Sequence, residues 1–182
     1  MAVLLERINT QSPYFNEVEG LMNDAFPQEE RRPQEAFKWL TDNENHFSCN
    51  ALLYEKRLIG LLTYWDLGRF TYVEHLATWP WVRGKGWGAD ALAALKVKSS
   101  GNIVLEVEPP VDELTRRRVA FYRRNGFQLW DKSVYRQPPY GPGLPAVDLQ
   151  LMVYGTLDEN VDFSEVRRVI HTVVYGLEEP LL

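Results

Sequence analysis

The stretch VRGKGWGAD holds three glycines at alternate positions and two cations: Gly84, Gly86, Gly88, Arg83 and Lys85. Without side chains at these positions, a ligand can come within hydrogen-bonding distance of the main-chain amides. If a helix follows, its dipole adds positive potential, and the two cations add charge-assisted hydrogen bonds. The stretch therefore indicates an oxyanion site, although a tightly packed strand–helix turn would also use glycines.

Two well-known phosphate loops do not fit this spacing. A Walker loop needs Ser or Thr directly after its Gly-Lys pair, whereas Lys85 is followed by Gly86. A dinucleotide loop needs G-x-G-x-x-G and an acidic residue on the next strand, whereas the glycines here follow G-x-G-x-G. A nucleotide-binding domain of the Rossmann type is therefore disfavoured.

The elements that must position this stretch follow from the hydrophobic pattern. Alternating and β-branched residues predict strands over 3–8, 47–55, 58–65, 70–78, 102–108, 127–135 and 147–154. Helical spacing predicts helices over 13–25, 34–41, 88–98, 112–125 and 162–175. Ser12-Pro13, Asp112 and the pair Asp162–Glu165 are the predicted helix starts. The expected class is mixed α/β (α+β), a mostly antiparallel sheet flanked by helices, with one parallel pair joined by the helix after the glycines.

Arg83, Gly86 and Gly88 also fit the pattern R-x-x-G-x-G, and at this point the chain resembles the GNAT family of N-acetyltransferases. In that family the pattern follows the fourth strand and binds the pyrophosphate of acetyl-CoA. YVEHLAT before it and AFYRRNGF after it resemble the family's fourth strand and the end of a later helix. The resemblance covers about residues 3–154 of a single domain, 1–182, and leaves a C-terminal helical extension at about 160–176.

The resemblance implies acetyl-CoA as co-substrate and a set of residues that bind it. They are Leu76, Ala77, Thr78, Arg83, Gly84, Lys85, Gly86, Trp87, Gly88, Thr115 and Arg124. The backbone contacts require strand 70–78 to splay from strand 102–108, as in relatives. Many relatives have Asn where this chain has Thr115, which weakens that one contact. The resemblance also implies Tyr122 as the acid that protonates the leaving thiolate.

Acetyl transfer to a protonated amine also needs a base. Strand alternation puts Glu74 on one face with Tyr72 and Leu76, and His75 on the opposite face as a core residue. Apolar neighbours would raise the pKa of Glu74 by desolvation, towards the value that suits a base at neutral pH. Glu74 is therefore the expected catalytic base, directly or through water, with a solvated strand face as the alternative.

The acceptor is expected between the loops FPQEERRP and QPPYGPGLP, which bind it in the resembling family. Glu29 and Glu30 of the first loop and Tyr140 of the second are the candidate substrate contacts. Together with Glu74, these two carboxylates favour a cationic amine, but Arg31 and Arg32 beside them weaken that inference. The expected acceptor is a primary amine of a small molecule or peptide.

Composition sets the broad class of protein. The 182 residues are 45% hydrophobic and 25% charged, which is typical of one folded domain. With 20 Lys and Arg against 25 Asp and Glu, the net charge of −5 argues against a nucleic-acid partner. A single cysteine, Cys49, excludes an intrachain disulfide, and no residue cluster suggests a metal. With no signal-peptide pattern and no membrane-length apolar run, a cytoplasmic protein without a membrane partner is expected.

Two functions stay open on the sequence. The first is an N-acetyltransferase that moves the acetyl group directly to the amine in a ternary complex. The second is a non-catalytic module that binds or senses acyl-CoA. The presence of both Glu74 and Tyr122 favours the enzyme, because a binder needs neither. The apolar stripe of the last helix suits either packing on the sheet or the contact of a homodimer.

Overall fold

The structure is a computed structural model that describes residues 3–99 and 101–181. Within these residues the chain forms seven strands and five α-helices. The strands are β1 (Leu4–Arg7), β2 (Phe47–Tyr54), β3 (Arg57–Asp66), β4 (Thr71–Thr78), β5 (Ile103–Val107), β6 (Gln128–Gln137) and β7 (Val147–Tyr154). The helices are α1 (Phe15–Ala25), α2 (Gln34–Asn43), α3 (Trp87–Lys98), α4 (Glu113–Arg124) and α5 (Glu159–Val169), which continues into a π-helical turn, Ile170–Val174.

All seven strands form one sheet in the order β1-β2-β3-β4-β5-β7-β6. Its only parallel pair within the described residues is β4 with β5, and α3 is the crossover helix between them. A parallel pair needs such a crossover, since its strands run in the same direction. The predicted class, a mixed and mostly antiparallel sheet flanked by helices, is confirmed.

Helices cover both faces of the sheet, and each face has its own apolar core. On one face α1, α2 and α5 contribute Val18, Phe37 and Val166. On the other face α3 and α4 contribute Leu92 and Val119. The sheet is thus the middle of three layers, so a ligand can reach its centre only where two strands separate.

Two helix starts show how well capping can be predicted. Asp112 is the N-cap of α4, as predicted, and its carboxylate accepts a hydrogen bond of 2.8 Å from the amide of Thr115. For α1 the prediction is wrong by two residues, because Ser12 and Pro13 form a turn before the helix and Tyr14 is the N-cap.

The last helix begins earlier than predicted. Asp158 is its N-cap, and its carboxylate accepts from the amide of Asn160 at 2.9 Å. The predicted capping pair is wrong because Asp162 and Glu165 lie inside the helix, where both carboxylates bind Arg69. The buried residues of α5 and the π-helical turn pack on the sheet, which is one of the two uses predicted for this stripe.

Candidate active site

The parallel strands β4 and β5 separate in the middle of the sheet. They pair only from Thr71–Ile103 to Val73–Leu105, and β4 then runs on to Thr78 without pairing to β5. A cavity of about 250 Å³ lies in the opening. The splay expected from the resemblance is therefore present, and it gives access to both faces of the sheet.

Residues from distant parts of the chain meet in this cavity. Four carboxylates and two guanidinium groups line it: Glu30, Glu74, Glu106, Glu108, Arg83 and Arg118. The other predicted site residues on its wall are Leu76, Ala77, Thr78, Tyr122 and Tyr140. The structure thus brings together the predicted catalytic pair and part of each predicted binding set.

The backbone of β4 offers free amides to the opening. The amide of Trp79 donates to the carbonyl of Ile59 at 3.0 Å, and this bond fixes which β4 groups face β3. Because backbone groups alternate sides along a strand, the amides of Leu76 and Thr78 point into the split. The backbone of Ala77 differs from the prediction, since its groups belong to the pairing with β3.

A β-bulge in β4 changes the direction of the predicted base. Val73 pairs with Tyr64 and His75 pairs with Thr63, so that Glu74 is an extra residue without a partner on β3. Such a residue interrupts the alternation of side chains. Glu74 and His75 consequently both face the β6–β7 loop, where one tyrosine contacts both of them. The prediction that His75 lies on the opposite face is wrong.

His75 is buried, as predicted, but it holds a loop in place. Its Nε2 lies 2.9 Å from the carbonyl oxygen of Glu30, and its Nδ1 lies 3.2 Å from the Thr63 hydroxyl. Because a carbonyl only accepts, Nε2 carries the proton and Nδ1 accepts from Thr63. Burial lowers the pKa of His75, so the ring stays neutral and connects β4 to the loop between α1 and α2.

Glu74 is fully engaged by three neighbours. Its side chain is only 1% exposed and forms an ion pair of 2.9 Å with Arg32. It also accepts hydrogen bonds from the Trp65 indole at 2.8 Å and from the Tyr140 hydroxyl at 2.9 Å. Burial would raise the pKa of Glu74, but the charge of Arg32 and the hydrogen bonds from Trp65 and Tyr140 outweigh it and hold the pKa below its ordinary value. The predicted rise in this pKa is wrong, because the sequence does not reveal that Arg32 pairs with Glu74.

Glu106 on β5 is the carboxylate that the sequence analysis missed. Its side chain accepts hydrogen bonds from the hydroxyls of Tyr135 and Tyr175, the latter at 3.1 Å. Burial raises the pKa of Glu106 to about 7, and the charge of Glu74 adds to the rise. The hydrogen bonds from the hydroxyls of Tyr135, Tyr72 and Tyr175 act in the opposite direction and lower this pKa. The available signal was a single charged residue in an otherwise apolar strand, IVLEV.

Tyr122 lies on the wall of the same cavity, near the end of α4. Its ring packs edge-on against Phe127, 5.6 Å between centroids, and its hydroxyl has no hydrogen-bond partner among the described residues. Burial raises the pKa of Tyr122 to about 12, against a smaller opposite effect of Arg118. Tyr122 therefore keeps its proton at neutral pH and has it free to donate.

The glycine turn has the backbone conformation that glycine is needed for. Gly84 and Gly86 have φ of +78° and +85°, and a Cβ at either position would meet no atom within 4 Å. Gly86 caps α3, whose first amides point out of the helix without helical acceptors. Gly88 serves packing as well, since a Cβ there would lie 3.2 Å from the ring of Phe121.

Three other predicted cofactor contacts do not line the cavity. The Lys85 ammonium lies 5.1 Å from the ring centre of Trp87, which in turn packs at 5.0 Å from Tyr54. Arg124 is exposed at the end of α4. These residues border the turn and the helix end rather than the split.

Two predicted contacts have other uses in the structure. The hydroxyl of Thr115 is buried and donates to the Asp112 carboxylate at 2.9 Å, so the helix cap occupies the group that a ligand would need. Glu29 lies outside the cavity, and its carbonyl accepts from the Gln137 amide at 3.2 Å. Of the two loop glutamates, only Glu30 lines the site.

The sequence analysis also missed an ion pair at the cavity edge. Arg118 donates to Glu108, and both line the cavity beside Glu30. Burial and the charge of Glu108 raise the pKa of Glu30. Only tertiary structure brings these residues together, and a basic run such as Arg116–Arg118 reads as a solvated helix face.

Within residues 3–99 and 101–181, no group of three or more His, Cys, Asp or Glu side chains could hold a metal ion. In the same part of the chain no helix has the length and hydropathy to cross a membrane.

Comparison with known proteins agrees with this geometry. The sequence profile of the Acetyltransferase (GNAT) family matches residues 12–127. A protein from Bacteroides thetaiotaomicron described as a GNAT-family acetyltransferase is 40% identical and superposes with a TM-score of 0.91 over 96% of this chain and 99% of its own. None of the curated proteins compared with the chain matches it in sequence.

More distant structures share the fold. A chimera of the spermidine N-acetyltransferase SpeG from Vibrio cholerae and hSSAT is 15% identical, with a TM-score of 0.61 over 85% of this chain and 96% of its own. Naa50 of Arabidopsis thaliana, in complex with a bisubstrate analogue of CoA and a peptide, is 15% identical, with a TM-score of 0.60 over 85% and 99%. The chain belongs to the GNAT family of acetyltransferases.

Proposed function

We propose that this protein is a cytoplasmic N-acetyltransferase that transfers the acetyl group of acetyl-CoA directly to a primary amine in a ternary complex. The observation that carries the proposal is the meeting of Glu106 and Tyr122 on one cavity between splayed strands. With a pKa of about 7 for Glu106 and about 12 for Tyr122, one group can accept a proton and the other can donate one at neutral pH.

The main chain around the cavity fits acetyl-CoA as co-substrate. The glycine turn and the first amides of α3 offer donors for a pyrophosphate, and Arg83 adds a cation on the cavity wall. The amides of Leu76 and Thr78 are free to bind an extended amide chain and to stabilise an oxyanion. Family membership and the CoA-containing relative support the same ligand.

The reaction then proceeds with these residues in named roles. Glu106 accepts a proton from the ammonium group of the acceptor, directly or through water, and frees the nitrogen lone pair. The nitrogen attacks the thioester carbonyl carbon, and the β4 amides donate to the oxyanion. As the carbon–sulfur bond breaks, Tyr122 protonates the thiolate. The second nitrogen proton returns to Tyr122 through water, and Glu106 releases its proton to solvent.

In this proposal Glu74 is a positioning residue rather than the base. Its carboxylate is ionised but occupied by Arg32, Trp65 and Tyr140. It thereby holds the loop before α2 against the loop between β6 and β7. Both loops are the proposed acceptor-binding segments.

The acceptor side of the cavity is acidic. Glu30, Glu106 and Glu108 line it, and among these carboxylates Arg118 pairs only with Glu108. An acceptor with a second cationic group near its reacting amine would complement this charge. The distant relatives named for spermidine and for a peptide acceptor show that one fold serves both kinds of amine.

Two measurements in sequence test the function. Calorimetry with acetyl-CoA, NAD and ATP should give binding for acetyl-CoA alone, and the absence of acetyl-CoA binding would refute the proposal. Release of free thiol from acetyl-CoA across a panel of mono- and polyamines should then show turnover. Binding without turnover on any amine would favour the alternative, a non-catalytic acyl-CoA-binding module.

A further inference from the structure

One side chain of the C-terminal extension reaches the cavity residue Glu106 on β5. After the π-helical turn, the hydroxyl of Tyr175 lies 3.1 Å from Oε2 and 3.4 Å from Oε1 of Glu106. The same hydroxyl lies 3.3 Å from that of Tyr140 and 3.4 Å from that of Tyr72. It is therefore a central member of a partly buried hydroxyl cluster around one carboxylate.

The segment that carries Tyr175 is fixed at several points. Ile170 and Val174 are buried in the core beneath the sheet. The Val174 carbonyl accepts from Arg32 at 2.8 Å, and Arg32 is the residue that pairs with Glu74. A side chain on so well anchored a backbone loses little further freedom when it binds a carboxylate, so its hydrogen bond can be effective.

Tyrosine hydroxyls are the only donors that Glu106 has among the described residues. The titratable groups that face it are Tyr72 and Glu74 of β4, Tyr135 of β6, Tyr140 of the following loop, and Tyr175. The nearby cation, Arg32, is already paired with Glu74. A hydroxyl that donates to a carboxylate favours its ionised form, whereas burial and Glu74 disfavour it.

We propose that Tyr175 is a positioning residue for the reaction: its hydroxyl orients the Glu106 carboxylate and stabilises the ionised form that accepts the proton. The proposal rests on the proposed function. It makes the C-terminal extension, which lies outside the family match at 12–127, a part of the catalytic apparatus.

The test compares Tyr175→Phe with wild type and with Tyr154→Phe, a matched change at a ring that does not contact the hydroxyl cluster. Tyr175→Phe should lose about tenfold in kcat/KM at pH 6.5 and less than about twofold at pH 9. The reason is that the loss of one hydrogen bond to the ionised carboxylate raises the pKa of Glu106 by about one unit. Incorporation of 3-fluorotyrosine at position 175, a stronger donor of nearly the same size, should shift the acid limb to lower pH. A loss that is uniform across pH, or no shift in either variant, would overturn the proposal.

A second readout does not depend on turnover. Infrared difference spectra should show a protonated carboxyl band that titrates near pH 7 in wild type and is absent in Glu106→Gln. In Tyr175→Phe this band should persist to higher pH, and an unchanged titration would contradict the proposal. If wild type acetylates no amine but the band shifts, the proposed function fails, while the effect of the Tyr175 hydroxyl on the ionisation of Glu106 stands.

Discussion

Glu74 and Glu106 lie on adjacent strands and line the same cavity, and burial is the largest influence on the pKa of both, yet their surroundings favour opposite charge states. Glu74 faces a guanidinium, and its pKa lies below the ordinary value. Among the described residues Glu106 accepts hydrogen bonds only from hydroxyls and has the charge of Glu74 nearby, and burial raises its pKa to about 7. The comparison teaches that burial of a carboxylate does not make it a base; the absence of a counter-charge does.

Glu106→Gln is the largest expected change, because it removes the proton acceptor and keeps the size of the side chain. We expect kcat/KM to fall about a thousandfold, within the usual range for general-base catalysis. Thiol release at pH 8 measures it, with the exposed Glu113→Gln as a control. A loss below about threefold would remove Glu106 from the mechanism.

The same variant should not lose stability at alkaline pH. The pKa of Glu106 is raised from 4.5 to about 7 in the folded protein, so the unfolded chain ionises first as the pH rises. The native state is thereby destabilised between these values, by about 3 kcal/mol above pH 7. Glu106→Gln should consequently melt at or above the wild-type temperature at pH 8, and a clear decrease would contradict the comparison.

Glu74→Gln should show the reverse pattern, with the main loss in stability. It leaves the charge of Arg32 buried without its partner, which costs about 3 kcal/mol. Because the folded-state pKa of Glu74 is lowered, its contribution is present at neutral pH and lost as the pH falls through that value. Urea unfolding at pH 7 measures the difference. Glu165→Gln, which breaks an exposed pair with Arg69, should cost less than about 1 kcal/mol.

Tyr122→Phe separates the acid from the base. We expect kcat to fall about a hundredfold while acetyl-CoA binds as in wild type, because only the donated proton is lost. Single-turnover thiol release and calorimetry measure the two quantities, with Tyr154→Phe as the control. Unchanged turnover would remove the proposed role of Tyr122.

Glu30→Gln gives the smallest effect. Loss of one partly screened charge on the cavity wall should raise KM about fivefold for a dicationic acceptor and leave kcat unchanged. Steady-state kinetics on a polyamine measure it, and Glu29→Gln, outside the cavity, is the matched control. An equal effect of both variants would mean that the charge acts from the surface and not within the site.

The sequence predicted much of this arrangement because its signals are local. The glycine turn and the order of the elements follow from spacing within short segments, and Tyr122 was selected from the resemblance of AFYRRNGF to the family's helix end. The direction of the His75 side chain could not be predicted in this way, because the bulge at Glu74 depends on the register of β4 against β3. The environment of Glu74 could not be predicted either, because Arg32 arrives from a loop 42 positions away in the chain.

Glu106 shows most clearly what the hydrophobic pattern of a sequence does not predict. One glutamate in a buried strand departs from the apolar pattern, but the pattern does not say what surrounds it. Its hydroxyl neighbours come from β4, β6 and the C-terminal extension, and only the folded sheet brings them together. A charged residue in an otherwise apolar strand is therefore a candidate catalytic residue even when a nearby motif suggests a different one.

The pH dependence of kcat/KM tests the central claim most directly. With acetyl-CoA saturating and two acceptors of different amine pKa, wild type should have an acid limb near pH 7 that is the same for both acceptors. Glu106→Gln should abolish this limb, whereas Glu74→Gln should keep it and move it to slightly lower pH, because the charge of Glu74 contributes to the raised pKa of Glu106. An acid limb that survives in Glu106→Gln, or one that follows only the pKa of the amine, would contradict Glu106 as the base.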